Sequence, residues 1–138
     1  SSDELDNKIV KAVEDMGPNA KSEFMGGYLG GIREGDRARW ERLILKFLDN
    51  DSLRSIGVEC VWRSGISERV LRKMLDLYCK GSISSRAFGG FWLSARENGI
   101  SQELVEEIVR TLLDQKDNQS LSVCVELVQD YFCHNKEG

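Results

Sequence analysis

The sequence predicts an all-α protein folded as an αα-superhelix, a solenoid of four antiparallel helix hairpins and eight helices. Three observations predict it. The first is self-similarity. Met25–Asp36 reads MGGYLGGIREGD, and 63 residues later Gly26, Gly27, Arg33 and Glu34 recur as Gly89, Gly90, Arg96 and Glu97. Gly65-Ile66-Ser67 likewise recurs 34 residues on as Gly99-Ile100-Ser101. Each of the latter opens a segment with matching apolar positions: Val70, Leu71, Met74, Leu75 and Tyr78 correspond to Leu104, Val105, Ile108, Val109 and Leu112. A repeat of 20 to 50 residues marks a stacked array. The second observation is apolar spacing at three and four residues through most of the chain, the period of an amphipathic helix. The third is a single proline, Pro18, in 138 residues, which leaves helices uninterrupted.

Taken in order, Leu5, Ile9, Val10 and Val13 give a first helix, stopped at Met16-Gly17-Pro18-Asn19. A second runs from about Ala20 to Glu34 with Phe24, Tyr28, Leu29 and Ile32 on one side. Inside it lie Gly26, Gly27, Gly30 and Gly31, each costing about 1 kcal/mol against alanine. The expected compensation is close approach of a neighbouring helix over the bare backbone, so Gly27→Leu and Gly90→Leu are expected to overpack a helix crossing. Asp36 caps a third helix carrying Trp40, Leu43, Ile44, Phe47 and Leu48. Asn50-Asp51-Ser52 turns into a fourth, with Leu53, Ile56, Gly57, Cys60 and Val61, which ends at Ser64-Gly65. Ser67 caps a fifth. A sixth is expected from Ser84 or Ser85 through Gly89-Gly90 and Trp92 to Asn98-Gly99, a seventh from Ser101, and an eighth after Asp117-Asn118-Gln119-Ser120.

In period and helix pairing the chain resembles the broad family of HEAT-, armadillo- and TPR-like helical repeats over nearly its whole length. No subfamily signature is matched: the TPR tryptophan-leucine-glycine-tyrosine spacing, the ankyrin T-P-L-H motif and the proline usual in many HEAT repeats are absent. The resemblance implies a superhelical scaffold with a ligand-binding concave face. A compact, non-repeating bundle is the rival arrangement. On the solenoid reading residues 1–138 form one helical-repeat domain, and a start at Ser1-Ser2 without methionine points to a fragment of a longer protein.

Net charge is −4, unevenly spread: residues 31–98 hold 13 of the 19 basic groups, and both ends are acidic. Cys60, Cys79, Cys124 and Cys133 form no C-x-x-C pair and read as reduced thiols of a cytoplasmic protein. There is no apolar run of membrane-spanning length. The glycine pairs fit neither phosphate-loop spacing. His134, the only histidine, adjoins Cys133, but neighbours on a helix point about 100° apart and do not meet. Glu103, Glu106, Glu107 and Asp114 fall on helix starts and polar faces. No nucleophile, metal or cofactor set assembles, so the chain is read as a non-enzyme without cofactors.

Two surfaces remain. Arg33, Arg63 and Arg96 each fall near the end of the second helix of a hairpin and would stack into a row able to fork onto carboxylates or phosphates. The bland reading is that each caps the negative end of its own helix. At the C-terminus, Leu121, Val123, Cys124, Val125, Leu127, Val128, Tyr131 and Phe132 spread wider than one stripe. Val125, Val128, Tyr131 and Phe132 are therefore expected to meet a following repeat or to mediate weak self-association. The function expected is a non-catalytic protein-interaction or scaffolding module, with a protein or peptide partner or other domains of its parent chain, or a regulatory segment of a larger multidomain protein. The alternative is nucleic-acid or phosphate binding through the arginine row, against which the acidic balance weighs.

Overall fold

The structure, a computed structural model, describes residues 2–17, 22–95 and 97–133. Seven α-helices run through them and no strand is present among the described residues: α1 (Ser2–Met16), α2 (Ser22–Gly35), α3 (Arg37–Asp49), α4 (Arg54–Ser64), α5 (Glu68–Cys79), α6 (Gln102–Gln115) and α7 (Asn118–Leu127). None of them is long and apolar enough to cross a membrane. The chain divides into two compact units, Ser1–Gly65 and Ile66–Gly138.

In the first unit α2, α3 and α4 pack against one another and α1 lies on α3. The core is the predicted stripe of α3, since Trp40, Leu43, Ile44, Phe47 and Leu48 are all fully buried. Asp36 caps α3 by accepting from Arg39 N at 3.1 Å. At the α3–α4 turn, Asn50 Oδ1 accepts from Ser52 N at 2.9 Å, a side-chain mimic of a backbone turn. The close helix crossing falls at Gly57, where a Cβ would meet Phe47 Cβ at 3.1 Å and a Leu48 methyl at 3.2 Å. The sequence also hid a buried charge. Asp6 on α1 is fully buried and accepts from Arg39 Nε at 3.0 Å, with Arg42 Nη2 at 3.9 Å. It shares a helix face with buried Val13, whereas Leu5, read as core, is exposed.

The Gly-Ile-Ser repeat is reproduced, its first copy starting at Gly65, the last residue of the first unit, and its second lying within the second unit. Gly65 and Gly99 both take positive φ, 123° and 74°. Ile66 and Ile100 are both buried. Ser67 and Ser101 both cap the following helix, accepting from Val70 N at 3.2 Å and Leu104 N at 3.3 Å. Of the five matched pairs that follow, three are buried on both sides, Val70 with Leu104, Leu71 with Val105 and Met74 with Ile108, while Leu75 and Leu112 are buried opposite half-buried Val109 and Tyr78.

The sixth predicted helix does not form as an α-helix, so the count of eight is corrected to seven. Ser85–Phe88 and Trp92–Ser94 are separate 3-10 turns, with Gly89-Gly90 between them. Gly90 adopts φ 94°, outside any helix, and its N–H donates to Glu126 Oε1 at 2.9 Å. Phe88, Phe91 and Trp92 are all buried, and breaking the helix lets these aromatic residues turn inward together; the rings of Phe91 and Trp92 lie 4.8 Å apart. The Trp92 indole N–H donates to Phe88 O, closing the break. The Gly-Gly match over 63 residues is thus one of sequence only, since Gly26-Gly27 lies inside α2.

Beyond α7 the chain widens into a π-helical turn, Val128–Cys133. Its effect is to aim Tyr131 inward, where it is buried and its hydroxyl donates to Ile100 O at 3.1 Å.

Candidate functional site

The glycine face of α2 opens into a groove of the first unit rather than onto another helix. A Cβ at Gly27, Gly30 or Gly31 would meet nothing within 4 Å. Gly26 alone is in tight contact, and with a side chain: its Cβ would lie 2.7 Å from Arg63 Cβ and from Arg63 Cδ. This corrects the expectation that Gly27 sits at a helix crossing. The groove holds about 700 Å³ and is lined by Gly26, Gly27, Gly30 and Gly31 of α2 with Arg33, Glu34, Arg37, Arg63 and Ser64. Three of these five larger side chains are guanidinium groups and one is a carboxylate.

The geometry that holds Arg33 is built from the bottom of the unit. Buried Trp40 donates its indole N–H to Ser64 Oγ at 2.8 Å, and Ser64 Oγ donates in turn to Cys60 O at 2.6 Å. That chain fixes the indole plane, and Arg33 Cζ stacks over it, 4.9 Å from the ring centroid. On its other flank the guanidinium lies against Gly65, where a Cβ would stand 2.7 Å from Arg33 Cζ. Gly65 is therefore constrained twice, by its φ of 123° and by this contact. Gly65 also closes α4, so Arg33, which stands in the last turn of α2, lays its guanidinium against the C-terminal end of a neighbouring helix as well as that of its own. Burial lowers the Arg33 pKa, and the positive charge of Arg37 lowers it further.

Of the predicted arginine row, the structure brings Arg33 and Arg63 to one groove and adds Arg37, which the stacking argument passed over. Arg96 lies outside the described residues, as do His134 and the stop at Pro18-Asn19.

The C-terminal surface is narrower than predicted. Val125 is 60% exposed and Leu121 38%, while Val128 and Phe132 are half-buried. Tyr131 is corrected from surface to core, for the π-helical turn carries it inside. Val123, Cys124 and Leu127 are buried with it, which accounts for the wide apolar spread of this segment.

All four cysteines are free thiols. Burial pushes the Cys60 thiol up to about 12 and raises that of Cys124, so neither is disposed to act as a thiolate. Among the described residues no group of three or more His, Cys, Asp or Glu side chains could hold a metal ion. Compared with known proteins, the chain matches no family model, no curated protein and no solved structure.

Proposed function

We propose that this protein is a non-catalytic protein-interaction module, built of helical repeats in an αα-superhelix and serving in the cytoplasm as a scaffold or as a regulatory segment of a larger assembly. The observation that carries the reading is the open groove over Gly27, Gly30 and Gly31. Interior glycines weaken a helix by about 1 kcal/mol each, and here no contact within the unit offsets that at three of them. A binding face that needs close approach to bare backbone does offset it. The repeated Gly-Ile-Ser helix starts support the repeat architecture.

The test is a paired affinity purification from the source cells with the parent chain and Gly30→Leu. A Cβ at position 30 meets nothing within 4 Å, so a leucine there enters the groove. Partners retained by the parent and lost by the variant, at equal folded content, support the reading; identical partner sets contradict it. The second reading, nucleic-acid or phosphate binding, is favoured by the convergence of Arg33, Arg37 and Arg63. It predicts steeply salt-dependent binding to an oligonucleotide.

A further inference from the structure

Resting on the interaction-module reading, we infer that the groove seats a carboxylate-bearing α-helix of a partner protein, with acidic side chains reaching Arg33, Arg37 and Arg63. Three guanidinium groups face one space with a single carboxylate, Glu34, among them. A guanidinium presents parallel N–H donors that match a carboxylate, so a groove carrying three of them suits acidic side chains. Arg33 is also held in advance, stacked on Trp40 and flanked by Gly65, so little side-chain freedom is lost when it forks onto a carboxylate. The shape of the ligand follows from α2. Arg63 covers Gly26, but Gly27 and Gly31 are one helical turn apart, about 6 Å along the axis, and a Cβ at Gly27, Gly30 or Gly31 would meet nothing within 4 Å. This matches the contact length of two crossing helices, for which small residues permit close approach.

A protein helix fits better than a nucleic acid. A phosphate backbone calls for an extended basic track, whereas this groove is short, contains Glu34, and belongs to a chain of net charge −4.

The experiment uses the full chain and fluorescence anisotropy. The probe is a fluorescein-labelled, alanine-based helical peptide with glutamates along one face. Controls replace glutamate by glutamine or by lysine, or interrupt the acidic peptide with proline. Arg37→Glu is the chief variant, because Arg37 is exposed at the start of α3, where an acid suits the helix. Arg63→Glu is the second. The expected result is binding of the acidic helical peptide alone, weakened at least tenfold by either variant. Absence of binding overturns the inference, as does equal binding of the glutamine peptide or of the proline-interrupted one. An oligonucleotide that displaces the acidic peptide reassigns the groove to nucleic acid and also overturns it. If Gly30→Leu loses cellular partners while Arg37→Glu keeps them, the interaction reading stands and the acidic helix falls.

Discussion

Gly65 and Gly30 put one residue type to opposite uses, and single substitutions separate them. Gly65 has φ 123° and is pressed by the Arg33 guanidinium. Gly65→Ala is therefore expected to lower stability by about 1–3 kcal/mol, read from the urea unfolding midpoint. Gly30 is helical with open space where a Cβ would go. Gly30→Ala is expected to raise stability by up to about 1 kcal/mol in the same assay; a loss of that size would mean that the groove is closed in solution. The cap residues and the apolar stripe of α3 were legible in the sequence because each rests on local chemistry: Asp36 bonds a backbone N–H three residues away, and Trp40 to Leu48 follow the helical period. The surroundings of Gly27 were not legible. A bare position signals close approach, but whether the approaching body belongs to the same chain is a tertiary fact. Asp6 was hidden for the same reason, since only the packing of α1 on α3 shows that Arg39 reaches it.

Among the elements, the start of α6 is tied to the start of α5. Glu68 Oε1 accepts from Ser101 N at 3.0 Å. Its hydrogen bonds to Ser101, through side chain and backbone, hold its pKa below the usual glutamate value. A carboxylate with a depressed folded pKa stabilises above its unfolded value and loses that contribution as pH falls through the folded one. Stability is thus expected to decline as pH drops below about 4.3, and Glu68→Gln is expected to flatten that decline in acid-unfolding curves followed by circular dichroism. A parent and variant with parallel curves would remove Glu68 from this role. Residues 84–95 teach a different lesson. Their sequence copies part of α2, yet Gly89-Gly90 breaks the helix because Phe88, Phe91 and Trp92 all find burial through the broken path and Glu126 takes the freed Gly90 N–H. Neither the aromatic docking nor the Glu126 contact, 36 residues away, is visible in local periodicity. Glu126→Ala is expected to speed hydrogen exchange at the Gly90 amide while leaving the α5 amides unchanged.

For the molecule as a whole, the sequence showed an all-helical chain with repeated helix starts, and the structure adds two compact units, of which the first carries the groove. On the C-terminal face, Val125 is 60% exposed, so Val125→Lys is expected to change stability by no more than about 0.5 kcal/mol. Sedimentation of the two proteins tests whether that face associates: a parent that self-associates and a Val125→Lys variant that stays monomeric would confirm it. The arginine groove is the central claim, and its most direct test is an amide-detected nuclear magnetic resonance titration of the full chain with the acidic helical peptide. The expected result is saturable shifts of the Gly27, Gly30 and Gly31 amides and of the Arg33 and Arg63 side-chain N–H groups, with Gly81 and Gly99 unmoved. Shifts confined to residues 66–133, or none at saturating peptide, would contradict the account.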